Sequence, residues 1–159
     1  MIELIDDLSD LLIELSDADA EFLVVGGHAV AFYGHVRATK DLDVLVRATD
    51  SNAQKVYRAL AAYGAPLDTF EVTESDFADY GGVLQIGLPP RRIDILNRAS
   101  GVTFDEAMTG AETFEVKGRT IHVIGFQALL ANKRAAARPQ DVADVAALCK
   151  LANKTKTLR

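Results

Sequence analysis

The chain has 159 residues, 49% of them hydrophobic and 25% charged, which supports one domain with its own core and excludes a disordered or low-complexity protein. Seventeen basic against 23 acidic side chains give a net charge of −6, which excludes non-specific coating of nucleic acid; a polyanionic substrate would need local arginines or metal ions. Cys149 is the only cysteine, so a disulfide scaffold is excluded and a reduced, cytoplasmic compartment fits best.

Residues 2–16 place Ile2, Ile5, Leu8, Leu12 and Leu15 at helical spacing, with Asp6, Asp7, Ser9 and Asp10 opposite, predicting an amphipathic helix. Its apolar face would pack on a sheet or against a second copy, which leaves the oligomeric state open. The same acids stand where a signal peptide would carry basic residues, so no export is expected. Residues 21–25 (EFLVV) read as a buried strand stopping at Gly26-Gly27, and a short helix follows, ending near Gly34. The apolar stretch 22–32 is shorter than the ~20 residues of a membrane span and carries His28 in its middle, so no membrane partner is expected. A second strand covers about 41–46, and Asp50 or Ser51 is the expected cap of a helix over 52–63 with Val56, Leu60 and Tyr63 as its stripe.

Residues 64–82 are polar, with Pro66, Gly81-Gly82 and the acids Glu71, Glu74, Asp76 and Asp79; they read as a solvated loop, a lid or an acceptor-binding segment. Strands over 83–87 and 91–96 flank Leu88-Pro89-Pro90, where prolines suit a turn. A short helix near 103–109 precedes a hairpin turning at Lys117-Gly118. Helices over 125–137 and 139–151 follow, with Pro139 in a first turn, and 152–159 read as a loose tail. No linker or repeat divides the chain. The order of elements implies a single α/β or α+β domain with a mixed β-sheet, spanning residues 1–159.

The chemistry concentrates in residues 24–46, VVGGHAVAFYGHVRATKDLDVLV. Residues two apart in a strand share a face, so Asp41 and Asp43 present paired carboxylates while Leu42, Val44 and Val46 face the other way. Asp94 in RRIDIL repeats the pattern, with Arg92 on its own face. If the two strands are neighbours, three carboxylates converge. Two like charges ~4 Å apart repel by roughly 4 kcal/mol at an effective dielectric of 20. A proton or a divalent cation must then compensate them. Oxygen donors without cysteine favour Mg²⁺ or Mn²⁺, and two such ions serve phosphoryl and nucleotidyl transfer. Gly26 and Gly27, lacking β-carbons, would let a phosphate approach the backbone at the start of the next helix. Neither a Walker loop nor a dinucleotide fingerprint is present.

Other residues keep two readings. Arg37 and Lys40 would either hold Asp41 or Asp43 in a salt bridge or contact a triphosphate. Arg134, Arg138 and Asp141 have the spacing of a solvated helix face. Three scattered histidines, His28, His35 and His122, do not make a zinc site, and His28 reads as a neighbour of the nucleotide.

Gly26-Gly27, Arg37-x-Thr39-x-Asp41-x-Asp43 and Asp94, in this order, resemble the minimal nucleotidyltransferases of the polymerase-beta superfamily. The likeness is strongest to a bacterial branch related to the AbiEii/AbiGii toxin-type enzymes, and it extends over about residues 21–149. It implies a nucleotidyltransferase fold in which a mixed sheet presents the acids and helices cover the other face. It also implies two Mg²⁺ or Mn²⁺ ions on Asp41, Asp43 and Asp94, with Asp94 helping to deprotonate the acceptor. Gly26, Gly27, His28, Arg37, Thr39 and Lys133 would bind the NTP, with Asp141 beyond them. The reaction implied is transfer of a nucleoside monophosphate to a hydroxyl on an RNA end such as tRNA, a protein or a small molecule, in a toxin–antitoxin or phage-defence setting. Gly27 replaces the serine common in the superfamily. A binding module that keeps the fold without turnover is the rival expectation.

Overall fold

The computed structural model of the chain describes residue 4, residues 6–79 and residues 81–157. Its elements are α1 (Asp6–Asp17), β1 (Phe22–Val25), α2 (Gly26–Phe32), β2 (Asp41–Val46), α3 (Asp50–Tyr63) and a 3₁₀ turn (Glu74–Phe77). There follow β3 (Val83–Ile86), β4 (Arg92–Leu96), α4 (Phe104–Met108), β5 (Glu112–Val116), β6 (Arg119–Val123), α5 (Phe126–Ala136) and α6 (Pro139–Thr157). The strands form one mixed sheet in the order β3-β4-β2-β1-β6-β5. Neighbours β2 and β4 run parallel, as do β1 and β6, and the remaining pairs are antiparallel.

The central strands are apolar because both faces are covered. Leu23, Val24, Leu42, Val44, Ile93 and Ile95 are almost fully buried. Helix α1 turns Leu8, Leu11, Leu12 and Leu15 into the core and packs against α3, β5 and β6, so its stripe is spent within the chain. Ile2 and Ile5 of the predicted stripe lie outside the described residues. Asn52 is buried with its amide fully engaged: Oδ1 accepts from Glu21 N–H at 2.7 Å, and Nδ2 donates to the carbonyls of Glu21 and Arg47. It thereby ties the start of β1 to the end of β2.

Several sequence expectations need correction. The cap of α3 is Thr49, whose hydroxyl accepts from Asn52 N–H at 3.3 Å, and not Asp50 or Ser51, which lie inside the helix. Residues 152–157 belong to α6 and are not a loose tail; Leu158 and Arg159 lie outside the described residues. Segment 64–82 is not simply solvated, because Leu67 and Phe77 are buried and Asn97 holds it from β4's end. The Asn97 amide donates to the carbonyls of Phe77 and Asp79 and accepts from Gly81 N–H. The β5–β6 hairpin turns where expected, with both Lys117 (φ 46°) and Gly118 (φ 83°) left-handed, as a two-residue type I′ turn requires.

Candidate active site

Strand pairing sets the register of the acids. In the parallel β2–β4 ladder Asp43 pairs with Asp94 and Asp41 with Arg92, while Val25, the last residue of β1, pairs with Asp43 across the other edge. The chain end of β1, the starts of β2 and β4, and the glycine turn therefore meet at one end of the sheet. One carboxylate oxygen from each of Asp41, Asp43 and Asp94 lies within 4.8 Å of the others. Leu42, Val44, Ile93 and Ile95 anchor the same strands in the core, so the acids cannot relax apart.

The cluster is poorly compensated by the chain. Burial, then the charges of Asp41 and Asp94, push the Asp43 carboxyl up to about 7. Burial likewise raises Asp94, with Asp41 adding to it and Arg92 opposing. Arg92 Nη2 donates to Asp41 Oδ2 at 2.6 Å. Its Nε faces Asp94 Oδ1 at 3.3 Å, but the alignment makes no hydrogen bond, and both atoms are buried without one. A buried carboxylate oxygen without a donor is costly. Oxygen-only donors, mutual repulsion and an orphaned oxygen together fit a divalent cation of the Mg²⁺ or Mn²⁺ kind.

The glycines are required by what surrounds them. Gly26 has φ +67°, and a β-carbon there would overlap Asp43 Oδ2. A β-carbon on Gly27 would sit 2.7 Å from Thr39 Cγ2 and 3.4 Å from Arg37 Nη1. Thr39 thus occupies the space that a serine side chain would need, which accounts for the departure at this position. Helix α2 starts at Gly26 itself, so both glycines belong to its first turn instead of preceding it. His28 is half-buried in α2; burial lowers its pKa, Arg37 acts in the same sense and Asp41 opposes, so its ring is neutral near pH 7.

Arg37 holds neither Asp41 nor Asp43, contrary to one of the two readings of its sequence position. Its Nε and Nη2 donate to Asp144 at 2.8 and 2.9 Å. Lys133 Nζ in turn bonds Asp141 at 3.0 Å and lies 3.1 Å from Asp144. Arg138 closes the chain of charges on Asp141, through its backbone N–H and its Nε at 2.8 Å. The solvated-face reading holds for the exposed Arg134 and Arg138 but fails for Asp141, which is fully buried and turns inward with the equally buried Asp144. Burial alone would raise these two acids; the bonds from Arg138 and Lys133, and from Arg37 and Lys133, outweigh it and lower both. The signal for them was the three-residue spacing of Asp141 and Asp144, which puts both on one helical face.

Two clefts open beside the acids. The first, about 440 Å³, is lined by Gly27, Thr39, Asp41 and Asp43 and by five cations, Arg37, Lys40, Arg92, Lys133 and Arg138. The second, about 370 Å³, lies across Asp43 and runs between the end of β4 and α5. Three other hollows, of about 330, 360 and 480 Å³, involve none of the three acids. Among the described residues no helix is long and apolar enough to cross a membrane.

No curated protein matches the sequence. The crystal structure of an antigenic nucleotidyltransferase-like protein from Paracoccidioides brasiliensis has a similar fold, with a TM-score of 0.52 over 91% of this chain and 74% of that one, at 16% identity. The profile of a family described as nucleotidyl transferase of unknown function (DUF2204) matches residues 4–159. With its nucleotidyltransferase-like fold and a match over nearly its full length, the chain belongs to that family.

Proposed function

We propose that the protein is a nucleotidyltransferase that moves a nucleoside monophosphate from an NTP to a hydroxyl acceptor, with Asp41, Asp43 and Asp94 holding Mg²⁺ or Mn²⁺. The observation that carries this is the meeting of three carboxylates, of which Arg92 hydrogen-bonds Asp41 alone, at the wall of a cleft lined by five basic side chains. Bound there, the cations would offset the carboxylate charge and stabilise the attacking and leaving oxygens.

The chain's own residues supply the rest. Arg37, Lys40, Arg92, Lys133 and Arg138 line the first cleft together with Asp41, Asp43 and Asp141, and with the acids offset by metal these five cations would orient the β- and γ-phosphates. Gly27, with Thr39 packed against it, lines the cleft where its backbone would meet a phosphate, and the neutral His28 follows one residue further on. The buried Asp141 and Asp144 fix the heads of Lys133 and Arg37, so little side-chain entropy is lost on binding. As the acceptor oxygen bonds to the α-phosphorus, its proton passes to Asp94, whose Oδ1 has no donor among the described residues. The bond from the α-phosphorus to the bridging oxygen breaks, and pyrophosphate leaves.

The Arg37-x-Thr39-x-Asp41-x-Asp43 pattern supports a place near the toxin-type branch, with a tRNA or protein acceptor and an antitoxin partner. The test is incubation with each α-labelled NTP, Mg²⁺ and total tRNA or lysate. Label should appear on one acceptor class and vanish in Asp43→Ala and Asp94→Ala. Equal labelling by the wild type and both variants would overturn the assignment, as would NTP binding that never leads to transfer.

A further inference from the structure

In-line displacement at phosphorus needs the attacking oxygen opposite the leaving one. If pyrophosphate departs into the cation-lined first cleft, the acceptor must arrive from the far side of Asp43. That side is the second cleft. Asp43, Lys133, Arg138 and Asp141 line both, forming a shared wall, while Arg98, Ser100 and Asn132 belong to the second alone.

The second cleft has a preformed wall. Gly101, at φ +74°, lets residues 98–101 lie flush on α5: a β-carbon there would come within 2.5 Å of Ala135 Cβ and 3.2 Å of Ala131 O. Asn132 Nδ2 donates to Ser100 O at 2.8 Å, and a bridge between Ala99 and Val102 closes the loop. Among the described residues neither the Ser100 hydroxyl nor Asn132 Oδ1 is bonded, so both are available to a ligand. Leu96, Ala99 and Ala136 add small apolar surfaces against which a ring can lie.

We propose that this cleft seats the acceptor, and that the acceptor is a hydroxyl flanked by a phosphate. The argument rests on the transferase reading above. In the wall of the cleft Arg98, Lys133 and Arg138 outnumber Asp43 and Asp141, a surplus of cationic charge that an unmodified protein side chain would not need, whereas a sugar phosphate or a nucleotide would. A volume of about 370 Å³ admits one such unit and not a folded surface. Ser100 and Asn132 meet its sugar or base edge.

The test uses isotope-labelled full-length protein with Mg²⁺ and a saturating non-hydrolysable NTP analogue. Adenosine 5′-monophosphate, ribose 5-phosphate and a serine-containing peptide are then titrated separately. Adenosine monophosphate should shift the amides of residues 98–101 and 132. Ser100→Ala and Arg98→Glu should each weaken it at least tenfold, with NTP-analogue affinity changed less than twofold. Ribose 5-phosphate binding equally well would locate recognition in the sugar phosphate; weaker binding would add the base. Either result supports the cleft. Three results overturn it while leaving the transferase reading intact: the peptide alone shifting these amides, the phosphates shifting only the first cleft, or the NTP analogue itself shifting 98–101. Failure of the analogue to bind at all removes the transferase reading, and the acceptor cleft with it.

Discussion

Asp43 and Asp94 are direct register partners across the parallel β2–β4 ladder, so the backbone hydrogen bonding of the sheet itself forces two carboxylates together. Nothing in the local sequence of either strand requires this. The repulsion is offset elsewhere, by the packing of Leu42, Val44, Ile93 and Ile95. A site held together against its own charge makes measurable demands on the rest of the chain.

The first concerns pH. In metal-free protein Asp43 holds its proton up to about 7, whereas the unfolded chain releases it near 3.8. The folded form then binds more protons between those values, so stability falls as pH rises through that window. At about 1.4 kcal/mol per unit the loss is on the order of 4 kcal/mol. Asp141 and Asp144 act in the opposite sense, and their contribution is lost as pH drops below the ordinary carboxylate range. Urea midpoints against pH should show a maximum on the acid side of neutrality. Asp43→Asn should remove most of the decline above it.

Divalent cations should flatten the same decline. At a concentration about 100 times the dissociation constant, Mg²⁺ or Mn²⁺ adds ~2.7 kcal/mol. The gain should be largest near pH 8, where the carboxylates are charged, and absent in Asp94→Asn. A melting temperature unmoved by either ion at pH 8 would count against metal binding.

Gly27 and Thr39 should behave as a coupled pair. Gly27→Ala brings a methyl 2.7 Å from Thr39 Cγ2, and overpacking of this kind costs about 1–3 kcal/mol. Thr39→Ser removes that methyl and should recover part of the loss. A double-mutant cycle by denaturant unfolding measures the coupling, which should exceed ~0.5 kcal/mol.

Asp144 should matter more for stability than a surface acid. Asp144→Ala leaves the buried Lys133 with one partner and Arg37 with none of its bidentate contact. Breaking a buried pair from one side costs about 3–5 kcal/mol. By contrast Lys55→Ala, which removes only a 3.8 Å pair with the exposed Asp19 carboxylate, should change stability by less than ~0.5 kcal/mol.

Thr49 provides a local check. Thr49→Ala should cost about 1 kcal/mol through loss of the α3 cap, and Ser51→Ala much less.

What the sequence made legible follows from the range of the forces involved. The period-two pattern of Asp41, Leu42, Asp43 and Val44 is local and predicts the strand and its faces without further information. The Lys117-Gly118 turn is equally local. That Asp94 stands beside Asp43 depends on a strand pairing across distant segments, and only the resemblance to a family linked them beforehand. The destination of Arg37 was harder still, because its partner Asp144 lies 107 positions away. Charge patterning along α5 and α6 reads as a solvated face when no neighbouring element is known. Burial of Asp141 and Asp144 appears only once the segment around Arg37 and the two helices are assembled. The Thr49 cap was missed because Asp50 and Ser51 are equally good capping residue types.

The distance between Arg37 and Asp144 also governs when the centre comes into being. Contacts of such long separation form late, after the intervening loops have closed. During synthesis the glycine turn and the paired aspartates of β2 emerge first, yet Lys133 has neither Asp141 nor Asp144 to hold it until α6 has left the ribosome. A nascent chain lacking α6 therefore carries the paired aspartates with Arg37 and Lys133 unheld, and on the proposed function it would not transfer a nucleotide. The last helix thus sets the moment at which the proposed site is assembled.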